Sequence, residues 1–462
     1  MPMPFPEREE AGTLASACGL WVRRRIESRI LPAGARLPSI RGLASQLQLS
    51  PFTVAQAYEQ LVAEGLIEGR KGSGFYVLAG PQPVRRGEVG GAIDLAWLMR
   101  HMLDSGVARG PGVGVLPSVW LEGAPIGDAV RALGREGSDR WVASGSSHGF
   151  APLREVLSRR LDGLGVTAGP DQIILTTGIT QALDLVVRTL VEPGDRVLVL
   201  DPGWFGAIAV LSAAGAHVTA VAGTPIGPDL GALERLMSEL APRLLVLSAT
   251  AQNPTGLTLA PDTQAHILRL AERHDVTVFE DDVYADFGAA GAGRLAARDG
   301  LARVIYAGSF SKTLAPNLRV GFLAARHDLA ERLAAAKVLT GFTTPELNER
   351  LLHRLLIGRR YARYVRGLAE QLGHARAAAL ETFAAEGLAV FGRPDSGLFL
   401  WIDTGCDTTE LAAAAREQGL LIAPGALFSP TQARSTWTRF NLATPRDERE
   451  RFFALVRSRR QV

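Results

Sequence analysis

The chain has 462 residues, more than one hydrophobic core usually serves, and with 47% hydrophobic and 21% charged residues it can bury two or three cores. A net charge of +3 and a pI near 9.0 are too weak to mark a nucleic-acid binder by themselves. Cys18 and Cys406 lie far apart without paired spacing, which argues against a disulfide framework or a zinc site; the acidic start and the lack of an apolar run near the roughly 18 residues a bilayer demands point to a soluble, cytoplasmic protein.

Charge is unevenly spread. Between residues 11 and 80, eight basic residues (Arg23, Arg24, Arg25, Arg29, Arg36, Arg41, Arg70, Lys71) face four acidic ones (Glu27, Glu59, Glu64, Glu68), a surplus that permits phosphate contacts. Leu14, Cys18, Trp21, Val22, Ile26 and Ile30 recur at helical spacing, and Leu31-Pro-Ala-Gly ends that helix. Ser39 is a plausible N-cap for a short helix carrying Leu43, Ala44 and Leu47, and after a turn at Gln48-Leu49, Ser50-Pro51 opens a third helix with Val54, Ala57, Tyr58 and Leu61 on one face. GLIEGRKGSGFYV then reads as strand, glycine-rich turn, strand. Three short helices and a hairpin make a winged helix-turn-helix; a small bundle that touches no nucleic acid is the plainer alternative.

The run from Arg36 to Val77 resembles the GntR-type DNA-binding domain along its length. By that resemblance Arg41, Ser50, Thr53 and the wing at Lys71-Gly72 would contact DNA, with the third helix in the major groove. Two positions depart from the family. Pro51-Phe52 stands where an arginine usually follows the Ser or Thr, removing a bidentate donor to guanine, and Gln48 stands where the turn normally has glycine, so either Gln48 tolerates a positive φ or the turn differs.

Residues 79–92 are rich in Gly and Pro and lack an apolar period, as a linker does. The boundaries drawn are a DNA-binding domain at 10–79, a linker at 80–112 and a second domain at 113–462, with residues 93–135 holding only scattered apolar positions. From about Ser147, strand-like runs (QIILTT, RVLVLD, RLLVLSAT, VTVFEDD, RVIYAGS) alternate with amphipathic helical stretches, the mark of an α/β unit with a mostly parallel sheet. Ligands sit at the carboxyl ends of such strands. Four polar segments fall there: Thr177-Gly178-Ile179-Thr180-Gln181, Asn253-Pro-Thr-Gly, Glu280-Asp281-Asp282-Val-Tyr284, and Ser309-Phe-Ser311-Lys312 with Arg319 beyond it. Each alone is ambiguous: a tight turn, a solvated loop or magnesium ligand set, a surface lysine. Yet the sequence contains only three lysines, Lys71, Lys312 and Lys337, so any amine chemistry has three side-chain candidates.

Together these segments have one economical interpretation. A lysine can form an imine with an aldehyde cofactor, a carboxylate can keep a pyridine nitrogen protonated, and Asn and Tyr can hydrogen-bond a phenolic oxygen, which are the parts of pyridoxal-phosphate chemistry. In order and spacing, residues 147–445 resemble fold-type I aminotransferases, with a large subdomain and a smaller C-terminal α/β subdomain. The resemblance implies pyridoxal 5'-phosphate as cofactor. It would place Gly178, Ile179 and Thr180, with Ser309, Ser311 and Arg319, at the phosphate. Trp204 would stack on the ring, Asn253 and Tyr284 would reach its hydroxyl, Asp281 its nitrogen, and Lys312 would be the catalytic Schiff-base lysine. Arg439 in TRFNLA matches the family's arginine for a substrate carboxylate.

A winged helix-turn-helix before such a domain resembles the MocR subgroup of GntR regulators. The resemblance implies a homodimer that binds double-stranded DNA and senses a small amino compound, an amino acid among the options, by aldimine exchange at Lys312. The segments EDDVYADF and AQNPTG depart from common MocR patterns toward ordinary aminotransferases, so an active aminotransferase with a peripheral DNA-binding unit is the alternative reading.

Overall fold

The computed structural model describes residues 13–27, 31, 34–63, 66–70, 73–77, 109–136, 142, 145–288 and 291–460. The chain forms two compact units, Met1–Ala92 and Ile93–Val462.

In the first unit, α1 (Leu14–Glu27), α2 (Ile40–Leu47) and α3 (Pro51–Ala63) precede an antiparallel hairpin of β1 (Ile67–Arg70) and β2 (Gly74–Val77), with Ile67 opposite Val77. Ser39 caps α2 by accepting from the Gly42 amide at 3.1 Å, and Ser50 caps α3 by accepting from Thr53 at 3.0 Å. Gln48 ends α2 in the left-handed region at φ 54°, so a glutamine does take the conformation that glycine normally supplies. Cys18, Trp21, Val22, Leu43, Ala44, Val54, Ala57, Tyr58 and Leu61 close the core, and the Tyr58 hydroxyl donates to the Pro38 carbonyl at 2.9 Å. Leu14 stays 39% exposed, so the apolar stripe of α1 starts one turn later than its spacing predicts.

The second unit is built on an eight-stranded sheet in the order β3-β10-β9-β8-β7-β4-β5-β6. Its strands are β3 (Ile173–Thr176), β4 (Arg196–Asp201), β5 (His217–Thr224), β6 (Gly227–Pro228), β7 (Leu244–Leu247), β8 (Thr277–Asp281), β9 (Val304–Ser309) and β10 (Gly321–Ala324). The run β9-β8-β7-β4-β5 is parallel, while β10 pairs antiparallel with both β9 and β3. Successive side chains enter opposite cores: Leu198, Leu245 and Val278 pack on one face, Val199, Val246 and Phe279 on the other. A sheet covered on both faces reads as continuous apolar runs, which is what made these strands visible in the sequence.

A smaller four-stranded antiparallel sheet, order β11-β12-β14-β13, follows: β11 (Ala389–Val390), β12 (Phe399–Asp403), β13 (Ala423–Pro424) and β14 (Trp437–Asn441). The helices Arg359–Ala385, Thr408–Glu417 and Arg446–Arg460 accompany it, and Phe383, Phe440, Phe452 and Phe453 knit its core, the closest rings with centroids 4.9 Å apart. Residues 109–112, assigned to the linker by sequence, are hydrogen-bonded to this part of the second unit: Gly110 donates to the Glu448 carboxylate at 2.6 Å and Gly112 to the Leu421 carbonyl at 2.8 Å. No described helix is long and apolar enough to cross a membrane.

Candidate functional site

Three strand ends lie side by side. Thr176 of β3 is paired with Gly321 of β10, and Gly321 with Ser309 of β9. After β3 the chain turns at Gly178 into the helix Ile179–Leu190, whose first amides have no partner within the helix. Gly178 has φ +94°, a Cβ there would stand 3.0 Å from Arg319 Nη2, and a Cβ on Gly321 would stand 2.8 Å from the Gly178 Cα. Both glycines are therefore required for the helix start, β10 and Arg319 to approach so closely. Arg319 donates to the Thr177 carbonyl at 2.6 Å. Ser309 Oγ lies 3.2 Å from Ser311 Oγ and accepts from the Ser311 amide at 3.3 Å. A helix N-terminus with Ile179 and Thr180 in its first turn, two hydroxyls and a guanidinium make a cup suited to a dianion.

The acids at the end of β8 separate by partner. Glu280 accepts from the Leu295 and Ala296 amides at 2.9 and 2.8 Å, so it caps the helix Leu295–Asp299; burial pushes its carboxyl up to about 8. Asp282 accepts from Arg294 Nε at 2.9 Å and from the Tyr306 hydroxyl at 2.8 Å. Among the described residues Asp281 accepts only from the Val283 amide, at 3.1 Å; burial pushes it up to about 7, opposed by that bond and by the charge of Lys312. Three carboxylates with three different partners form neither a solvated loop nor a magnesium ligand set.

Lys312 follows β9, and its Nζ donates to the Gly114 carbonyl at 2.6 Å. Desolvation, then Arg439, lower its pKa to about 8, with Asp281 opposing and Arg319 adding to the fall. Tyr284 is buried against Phe399, its hydroxyl pushed well up by burial, with Arg439 and Asp281 both acting on it. Asn253 is buried and accepts from Arg439 Nη1 at 3.2 Å. Trp204 is partly exposed at the start of the helix Phe205–Ala213, lying over Gly206, where a Cβ would meet the indole at 2.3 Å. With Asn253 and Asp281 it lines one small cavity.

Arg439 projects from β14 and is 2% exposed, its guanidinium 4.2 Å from the Phe399 ring centre. Nη2 donates to the Gly112 carbonyl at 2.8 Å, and Nε is buried without a hydrogen-bond partner. Burial lowers its pKa to about 10. The sequence reading passed over two features here. One is the strap of residues 109–115, whose carbonyls meet Arg439 and Lys312; its only signal was the closely spaced glycines of GPGVG. The other is a buried relay in which Thr313 Oγ1 lies 3.1 Å from the Tyr361 hydroxyl, which donates to Asp286 at 2.6 Å, while Asp286 also pairs with Arg160.

In the first unit, Arg41 is exposed on the first turn of α2. Ser50 and Thr53 stand at the start of α3, their hydroxyls 2.8 Å apart, so part of their hydrogen-bonding capacity serves the cap. Phe52 between them is 72% exposed. Lys71 and Gly72 lie outside the described residues.

The model of the aminotransferase class I and II family matches residues 56–454, and that of the gntR family of bacterial regulatory proteins matches residues 19–77. An uncharacterized HTH-type transcriptional regulator of Escherichia coli (strain K12), YdcR, is 33% identical over 93% of this chain and 95% of its own. The probable rhizopine catabolism regulatory protein MocR of Rhizobium meliloti is 31% identical over 67% of this chain and 65% of its own. Among solved structures, LysN, the alpha-aminoadipate aminotransferase of Thermus thermophilus complexed with N-(5'-phosphopyridoxyl)-L-leucine, superposes with a TM-score of 0.70 at 28% identity, covering 79% of this chain and 94% of that one.

Proposed function

This chain belongs to the MocR subgroup of the GntR family of transcription regulators, and from that membership we propose that it is a cytoplasmic, homodimeric regulator whose pyridoxal-phosphate site senses a small amino compound. Its cofactor is pyridoxal 5'-phosphate. The observation that carries the sensing half is the convergence of Lys312, Asp281, Tyr284, Asn253 and Arg439 on one buried site in the unit that follows the DNA-binding unit.

When bound, the cofactor supplies an aldehyde that condenses with amines and a ring that withdraws electrons. Lys312, its pKa lowered to about 8, loses its proton more readily than an ordinary lysine and would be the amine that holds the cofactor's aldehyde. Asp281 would keep a proton on the ring nitrogen. Asn253 and Tyr284 would hydrogen-bond the ring hydroxyl, and Trp204 would flank the ring. Gly178, Ile179, Thr180, Ser309, Ser311 and Arg319 would hold the phosphate. Arg439 receives the carboxylate of an amino-acid effector. Arg41, Ser50, Thr53, Lys71 and Gly72 meet DNA. Effector binding alters DNA affinity only if it favours one conformation over another, so the two affinities are linked.

The test is a screen of amino compounds that follows cofactor absorbance and DNA affinity together. A compound that changes both in wild type, and neither in Lys312→Ala, supports the reading. Rapid keto-acid production with no effector-dependent change in DNA affinity overturns it in favour of a transaminase.

A further inference from the structure

The strap from residue 109 to 115 is fastened along the small subdomain by a row of bonds. Leu421 donates to the Arg109 carbonyl at 2.7 Å, Gly112 to the Leu421 carbonyl at 2.8 Å, and the Asn441 amide to the Pro111 carbonyl at 2.9 Å. Asn441 Nδ2 also donates to the Val113 and Val115 carbonyls at 2.8 and 2.9 Å. The fit leaves no room for side chains: a Cβ on Gly112 would stand 2.5 Å from the Ala423 nitrogen, and one on Gly110 would stand 2.6 Å from the Leu421 oxygen. So seated, the strap presents the Gly112 carbonyl to Arg439 and the Gly114 carbonyl to Lys312.

We propose that this strap is a built-in competitor of the effector: the Gly112 carbonyl occupies Arg439 Nη2 until a carboxylate displaces it, and the strap then leaves its seat. The inference rests on the reading of Arg439 as the carboxylate site. An arginine binds a carboxylate most strongly through two parallel N–H donors. Nε has no partner among the described residues, and one N–H of Nη2, next to it in the same fork, is taken by the strap. A carboxylate that takes both donors satisfies the buried Nε as well, and that gain drives the exchange.

The experiment measures hydrogen exchange at the amides of residues 110–115 and calorimetric binding of propionate, on the full-length protein with chloride at equal ionic strength as control. Gly112→Ala unseats the strap through the collision with Ala423, and Asn441→Ala loosens it by removing two donors, so the second variant decides if the first does not fold. Propionate should speed exchange in wild type, and the loosened variants should bind it about tenfold more tightly, since one bond to a charged group no longer has to be broken. Propionate binding that leaves strap exchange unchanged, or that is no tighter in the loosened variants, overturns the strap while leaving Arg439 as the carboxylate site. Binding unaffected by Arg439→Met, or absent from every variant, removes the reading of Arg439 and the strap proposal with it. A DNA response to effector without strap exchange refutes the strap alone.

Discussion

Lys312 has a pKa near 8 against an ordinary 10.5, so between those values the unfolded chain binds more protons than the folded one and stability rises with pH. Below about 8 the charged amine carries its full desolvation penalty. Lys312→Met should therefore raise the melting temperature of the cofactor-free protein near pH 7, and the gain should shrink as pH climbs toward 10; a gain that grows with pH would contradict the assignment. Asp281→Ala should weaken cofactor retention and shift its absorption, because the ring nitrogen loses the anion that keeps it protonated. These residue types could be singled out in the sequence because their chemistry is rare here, above all a strand-end lysine in a chain with three. The Gly112 carbonyl could not, since every residue has one and only the fold aims it. Phe52 lies between these cases: its type was visible, but its 72% exposure at the start of α3 was not. An exposed ring there suits a thymine methyl, and Phe52→Arg supplies a bidentate donor to guanine. Selection of binding sites by wild type and variant should show a thymine-to-guanine change at the position that residue 52 meets.

At the level of elements, the parallel strands were readable because each is an apolar run buried on both faces, and the caps at Ser39 and Ser50 because side-chain capping is local chemistry. What escaped was non-local: that β10 inserts antiparallel between β3 and β9, and that residues 93–135 contain the helices Ser118–Leu121 and Ile126–Leu133. The antiparallel insertion matters to the phosphate cup because it brings Gly321 beside both Gly178 and Ser309. Gly178→Ala forces a side chain into φ +94° next to Arg319, a strain of about 1–3 kcal/mol. Cofactor titration of the stripped protein should show weaker binding in this variant than in wild type, with the sheet intact by circular dichroism.

For the molecule as a whole, the DNA-binding unit and the aminotransferase-like unit are two compact units in one chain. Binding to DNA should weaken with salt, and Arg41→Ala should lower the slope of log affinity against log salt by about 1 for each copy of Arg41 that meets phosphate, with site preference unchanged. A lost preference at a single base pair would place Arg41 on a base edge instead. The two units also differ in how far apart their partners lie along the chain. Every described core residue of the first falls between Ala17 and Val77, whereas the candidate sensor joins Gly112 to Arg439. On the ribosome the first unit is complete while the second still awaits its last strand, an interval of about 20–70 s at about 5–20 residues per second. Each newly made molecule thus completes its DNA-binding unit before its cofactor-binding unit, and a chain truncated before β14 would keep the first while lacking Arg439.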